Sequence, residues 1–165
     1  MASLKLDHTD FKILDAVQRD GRITKLALAE KVGLSPTPCW MRLRKLEQAG
    51  VIVGYHARLS LRAVAPMTTV MMEVTLASHR QSDFDRFERV VREIPQIVAC
   101  WSVGGGVDYL LKVVAHDVDA YQRLVDSLLD REIGIARYFT YIVTKTVKDE
   151  DVLPVETLAD PSVRC

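Results

Sequence analysis

The sequence predicts an α+β protein: a three-helix N-terminal unit of winged helix-turn-helix type, followed by a ferredoxin-like βαββαβ domain. Three observations carry this. Apolar residues recur at helical spacing up to Gly50 and, beyond Ala65-Pro66, at a spacing of two. Glycines and capping residues fall where those helices should start and stop. Charge is divided unevenly along a chain whose net charge is zero. The boundaries expected on this basis are 1–52 for the helical unit, 53–65 for a linker with an exit strand, 66–150 for the βαββαβ domain and 151–165 for a C-terminal tail.

Asp7 opens an Asp-x-x-Asp start, and Phe11, Leu14 and Val17 share one face up to Asp20-Gly21. That spacing predicts a capped amphipathic helix of about three turns. Thr24 caps a second, short helix with Leu28, Ala29 and Val32 turned inward, and Gly33 suits the left-handed residue that stops it. Leu34 plugs the turn, and Ser35-Pro36 reads as an N-cap followed by proline at the first helical position. The third helix runs to about Ala49, with Cys39, Leu43 and Leu46 on its inner face and Gly50 at its end. Residues 51–59 read as extended chain leaving the unit.

In the second half, Val70, Met72, Val74 and Leu76 alternate with Thr69, Met71, Glu73 and Thr75, the pattern of a strand with one better-buried face. Ser82-x-x-Asp85 opens a helix that carries Phe84, Phe87, Val91 and Ile94 round to Pro95. Residues 97–103 and 107–114 form two strands across Gly104-Gly105-Gly106. Asp117 or Asp119 caps a helix with Tyr121, Leu124, Val125, Leu128 and Leu129 on one side, and residues 138–147 supply a fourth strand. In this order the elements make a split βαβ unit whose sheet bears helices on one face only. A second copy of the chain is the expected cover for the other face. Residues 153–165, with Pro154 and Pro161, are expected to be loose.

The 165 residues are 48% hydrophobic and 27% charged, enough apolar material to bury cores and too much for a disordered chain. No apolar run reaches the roughly 18 residues that span a bilayer. Residues 1–7 hold no apolar stretch ahead of a small-residue cleavage site. Cys39, Cys100 and Cys165 are widely spread, as are His8, His56, His79 and His116, so no metal site, disulfide or cofactor is expected. A reduced, cytoplasmic protein is expected, with no membrane partner. Through Ser60 ten Lys and Arg stand against six Asp and Glu, a balance of +4, and the remainder carries −4. A basic first third suits a polyanionic partner.

The second and third helices, joined at Gly33-Leu34-Ser35, form a helix-turn-helix whose second helix can enter a major groove N-terminus first. With Cys39, Leu43 and Leu46 inward, the outward positions are Thr37, Pro38, Trp40, Met41, Arg44 and Lys45. Ser35, Thr37 and the helix N-terminus are placed to hold a phosphate. Arg42, Arg44 and Lys45 are placed to neutralise phosphates or reach a guanine edge. Trp40 and Met41 suit a sugar or a thymine methyl. Each arginine is equally placed to pair with Glu30 or Glu47, and a plain three-helix unit with a solvated basic face has the same spacing. Cys39 reads as a small core residue. Trp101 reads as sheet packing or subunit interface, and Cys100 as a strand residue within reach of a cleft.

The stretch Leu34-Ser-Pro-Thr-Pro-Cys39-Trp-Met-Arg42-Leu-Arg44-Lys-Leu46-Glu-Gln-Ala-Gly50-Val-Ile52-Val-Gly54-Tyr55 closely resembles the recognition helix and exit strand of the Lrp/AsnC (feast/famine) transcription regulators. Leu6-Asp7-x-x-Asp10-x-x-Ile13-Leu14 and Asp20-Gly-Arg22-Ile23 resemble that family's first helix and its end, and Gly105-Gly-Val-Asp108-Tyr109-Leu-Leu111 anchors the likeness in the second half. The resemblance implies an N-terminal reader of double-stranded DNA and dimers built through the C-terminal sheets. It further implies assembly to octamers, nucleoid association, and an amino acid or related metabolite as effector, with control of genes for such compounds. Dimers would bind pseudo-palindromic sites with half-sites near one helical turn apart.

The family's hairpin places a hydroxyl and an aromatic residue beside its glycine; Gly104 and Val107 stand there in this chain. Gly104, Gly105, Gly106, Val107 and Asp108 are the expected effector-binding residues, with exposed amides for a carboxylate and Asp108 for an ammonium, unless Asp108 only closes the turn. Without those two side chains the cleft should be larger, which points to an effector bulkier than a small aliphatic amino acid or to loss of the amino-acid response. Two other classes fit the same two-part pattern. One is an enzyme resembling sirohaem decarboxylases, which would need histidine ligands round a haem-sized cleft; the other is a module that binds a protein partner. No catalytic residue is assigned.

Overall fold

A computed structural model describes residues 5–150, 152–155 and 157; expectations for the first four residues and for most of the tail lie outside the described residues. The elements in chain order are α1 (His8–Arg19), α2 (Lys25–Val32), α3 (Pro36–Gln48), a single turn α4 (Leu61–Val64), β1 (Thr68–Leu76), α5 (Gln81–Arg92), β2 (Ile97–Ser102), β3 (Tyr109–Ala115), α6 (Val118–Asp130) and β4 (Ile135–Ile142). They form two compact units, residues up to 58 together with those from 148 onward, and residues 59–147.

In the helical unit α1 starts at a capping box made by two aspartates. Asp7 accepts from the Asp10 amide at 2.9 Å and Asp10 accepts from the Asp7 amide at 3.0 Å. Two of the helix's unpaired first-turn donors are thus satisfied. The buried face is turned from the expected one: Ile13, Ala16 and Val17 are buried, whereas Phe11 and Leu14 are half-buried. Thr24 caps α2 through the Ala27 amide, and Gly33, at φ +72°, ends it in the left-handed conformation. Leu28, Ala29 and Val32 of α2 meet Cys39, Leu43 and Leu46 of α3 in one core, and Leu34 packs against it from the turn. The expected exit strand is absent: residues 53–60 form no strand, since their backbone joins none of the pairings of the β2-β3-β1-β4 sheet. Tyr55 instead donates its hydroxyl to Glu47 of α3 at 2.9 Å.

The described part of the tail is not loose as expected. The Gln18 side chain of α1 grips the Leu153 backbone twice, donating to its carbonyl and accepting from its amide, both at 2.9 Å, and Val155 is buried. A contact 135 residues apart in sequence leaves no local signature. Gln18→Ala is expected to speed hydrogen exchange at the Leu153 amide by about tenfold, on the order of 1 kcal/mol for two exposed hydrogen bonds. Unchanged exchange would place the hold on this segment elsewhere.

The second unit is an antiparallel sheet in the order β2-β3-β1-β4. Val70, Met72, Val74 and Leu76 of β1, with Tyr109, Leu111 and Val113 of β3, point to one side and bury against Phe87 and Val91 of α5 and Tyr121, Val125 and Leu128 of α6. Asp117 caps α6 through the Ala120 amide at 2.7 Å. Helix α5 starts one residue ahead of Ser82, which is not its cap: Arg80 stands there without a side-chain cap bond, and the Gln81 amide group donates to Asp85. Strand β4 starts at Ile135, three residues before the expected 138. Gly134, at φ +86°, turns the chain and accepts from the Ala77 amide, so pairing with β1 starts at once through a bulge at Leu76. Beyond the bond from the Val143 amide to Thr69, β1 offers no further partner, which ends the strand.

The opposite side of the sheet carries two cross-strand rows, Trp101-Leu110-Glu73-Phe139 and Ala99-Lys112-Met71-Tyr141. Directly opposed residues of antiparallel strands share a face. Trp101, Phe139 and Tyr141 are each close to half exposed.

Candidate nucleic-acid interface and effector loop

Helix α3 sits on α1 and α2 through its inner stripe, and that fixes which side chains it displays. Thr37, Pro38, Met41, Arg44 and Lys45 are exposed, Met41 at 65%. Such exposure of a long apolar side chain among cations suits contact with a sugar or methyl group. Ser35 is exposed and its hydroxyl makes no cap bond. The cause lies in the sequence, because the third helical residue, whose amide an N-cap oxygen commonly takes, is Pro38. Pro36 and Pro38 have no amide hydrogen and the Cys39 amide bonds to the Ser35 carbonyl, so Thr37 alone offers a helix-start donor. The phosphate-holding capacity expected of this N-terminus shrinks to the Thr37 amide and two hydroxyls.

Two of the expected reading residues are placed differently. Arg42 does not point outward. Its Nη1 donates to Asp7 Oδ2 and to Asp10 Oδ1, each at 2.7 Å, so it ties α3 to the start of α1 and pairs with neither Glu30 nor Glu47. Asp10 is buried and its carboxylate needs this partner. The Asp7 carboxyl is held below the usual carboxylate range, first by the Asp10 amide and then by the Arg42 guanidinium. Trp40, expected to be exposed, is half-buried against the helical core. Lys25 Nζ lies 3.5 Å from its ring centroid and Arg44 Cζ 5.8 Å, so two cations flank the indole.

In the second unit Gly104, Gly105 and Gly106 form an exposed loop between β2 and β3. Gly105 has φ +149°, which glycine alone adopts readily, whereas a methyl group at 104 or 106 would meet nothing. Val107 is half-buried. Asp108 is occupied: its carboxylate accepts from the Leu76 amide at 2.7 Å and faces His79 Nε2 at 3.1 Å, and its amide donates to Val74. Within one chain Asp108 ties the loop to the end of β1. His79, which stacks on Phe84 at 5.9 Å, was not legible as its partner, 29 residues away.

Two family models match successive parts of the chain. Residues 6–53 match a family model described as winged helix-turn-helix DNA-binding, and residues 69–153 match the Lrp/AsnC ligand binding domain. The chain belongs to the Lrp/AsnC family of transcriptional regulators. It is similar to the transcriptional regulatory protein DoeX of Halomonas elongata, 53% identical over 88% of this chain and 92% of that one. It is similar to the leucine-responsive regulatory protein of Escherichia coli K12, 39% identical over 92% and 93%. Among solved structures, a Neisseria meningitidis transcriptional regulator in complex with L-methionine aligns with TM-score 0.88 at 34% identity, covering 93% of this chain and 99% of that one. An AsnC family regulator from Agrobacterium tumefaciens aligns with TM-score 0.86 at 36% identity, covering 92% and 98%. The chain is therefore a DNA-binding regulator of Lrp/AsnC type, an N-terminal helix-turn-helix joined to a ferredoxin-like effector domain. The matched models and relatives are those of regulators rather than of enzymes. No described helix is long and apolar enough to cross a membrane.

Proposed function

We propose that this Lrp/AsnC regulator reads operator DNA with α3 and answers to an amino acid or a close metabolic relative, controlling genes for such compounds in the cytoplasm, at the nucleoid. The observation that carries the DNA assignment is the split of α3 into a buried stripe and an exposed face bearing Met41, Arg44 and Lys45. Ser35 and Thr37 are its phosphate contacts at the helix start, Pro38 and Met41 its apolar contacts, and Arg44 and Lys45 its charged ones. Trp40 and Arg42 serve by holding the helix. The amino-acid reading draws on the relatives, one named leucine-responsive and one solved with L-methionine. In it the Gly104–Gly106 amides approach the effector and Asp108 fixes the loop. The sheet face carrying Trp101, Phe139 and Tyr141 covers itself with a second copy, and dimers gather into octamers on flexible, A/T-rich DNA.

The test is a gel-shift titration on the DNA upstream of the protein's own gene, at two salt concentrations, with and without amino acids and their diamino, keto and N-acyl relatives. A laddered, salt-sensitive shift above random DNA is expected, because neutralised phosphates release counterions. Arg44→Ala is expected to weaken specific binding by about 1–3 kcal/mol and to relax base preference at one position. Equal loss on specific and random duplexes, with a smaller salt slope, would make Arg44 a phosphate contact instead. An affinity that ignores salt would favour a protein partner over DNA.

A further inference from the structure

An open cleft of about 370 Å³ lies between α5 and the edge strand β2. Ligand sites commonly measure roughly 300–1,000 Å³, so this one suits a single amino acid better than a nucleotide or a tetrapyrrole. Its walls divide chemically. Val91 of α5 and Ile97 of β2 supply an apolar side. Glu88 and Arg92, one turn apart on α5, supply a polar one, with Arg92 Nη2 donating to Glu88 Oε2 at 2.6 Å. Tyr109 donates its hydroxyl to Glu88 Oε1 at 3.1 Å, which leaves the phenol oxygen as an acceptor.

A cation and an anion thus stand side by side against an apolar wall. The Arg92 side chain is 72% exposed, and its bond to Glu88 uses one of its nitrogens. A lone anion would engage Arg92 and make no use of Glu88; a lone cation would do the reverse. A zwitterion answers both, its carboxylate on the free amino groups of Arg92 and its ammonium on Glu88 and the Tyr109 oxygen. The pair itself yields readily, since exposed ion pairs one helical turn apart are weak. We infer that the α5–β2 cleft binds a zwitterionic amino acid with an aliphatic or thioether side chain, at a site separate from the Gly104–Gly106 loop. This rests on the amino-acid reading above and adds a second place for that chemistry.

Titration calorimetry of the full-length protein with L-methionine and L-leucine tests it, in the wild type and in Arg92→Gln and Glu88→Gln. Each variant is expected to weaken L-methionine binding at the cleft at least tenfold. Cys100 gives an independent readout from the cleft wall. Burial, and then Glu88, push its thiol to about 11, so iodoacetamide labelling is run at alkaline pH and read by peptide mass spectrometry. L-Methionine is expected to slow labelling at Cys100. Arg92 is exposed, so its variant keeps the fold, which a melting curve verifies; Glu88→Gln retains an acceptor for Tyr109. Binding intact in Arg92→Gln and Glu88→Gln, with labelling at Cys100 unchanged by L-methionine, overturns the cleft and leaves the amino-acid reading standing. No binding of either amino acid to the wild type overturns both, while the gel shift still judges DNA binding by itself.

Discussion

Arg42→Ala is expected to destabilise the helical unit by about 2–4 kcal/mol, an effect on folding before any on DNA. Removing it leaves the Asp10 carboxylate, 11% exposed, without its cation and facing the Asp7 carboxylate across the capping box. Charged hydrogen bonds contribute about 1.5–3 kcal/mol each, and a buried carboxylate left unpaired adds its own desolvation cost. The range given is discounted for the one-third exposure of Arg42. Trp40 fluorescence in a Trp101→Phe background reports unfolding of this unit alone. The pH dependence has a definite sign. Because the folded state holds the Asp7 pKa below its ordinary 3.8, the ionised form is favoured by folding. That stability is present above about pH 4 and is lost as pH falls through the depressed value. The Asp10 amide, the larger cause of that shift, remains in the variant, so the gap between wild type and variant should narrow below pH 4 only by the part that Arg42 supplies. Lost DNA affinity at unchanged stability would return Arg42 to the reading surface.

The contrast between Arg42 and Arg44 shows where sequence reasoning reaches and where it stops. The buried stripe of α3, the Asp7 and Thr24 caps and the left-handed Gly33 are local matters, decided by neighbours within one or two turns, and periodicity exposes them. Helical spacing sets Arg42 at the edge of that stripe and Arg44 away from it, but nothing local says what Arg42 pairs with. Its partners are a pair of aspartates 35 and 32 residues earlier, brought alongside only when α1 packs on α3. One clue was available: Asp7 and Asp10 stand together in a unit that is otherwise basic, where a cation should seek them. The loss of the Ser35 cap was fully legible, since Pro38 has no amide to offer. The His79–Asp108 and Gln18–Leu153 contacts were not. Each joins segments far apart in sequence, between residue types that are equally at home in water.

The same limit applies to the face of the sheet. Alternation in β1 says that one side is buried, and the β2-β3-β1-β4 order says which residues line up on the other. Register makes that side specific: Trp101, Leu110 and Phe139 fall in one row and Met71 and Tyr141 in the next, with Glu73 and Lys112 among them. A contiguous apolar surface of this kind marks an interface. Two copies related by a two-fold axis can cover the aromatics and set Glu73 of one against Lys112 of the other. Phe139→Asp is the decisive change. In a single chain Phe139 is 46% exposed, so the variant folds; against a second sheet it places a carboxylate among apolar side chains. Light scattering is expected to show a wild type that is at least dimeric and a monomeric variant. Operator affinity should fall by about 10²-fold or more, because each helix-turn-helix then binds its half-site without a tethered partner. A Phe139→Asp protein that keeps its size and its operator affinity would mean that the subunits meet through another surface, and that the aromatic rows serve something else.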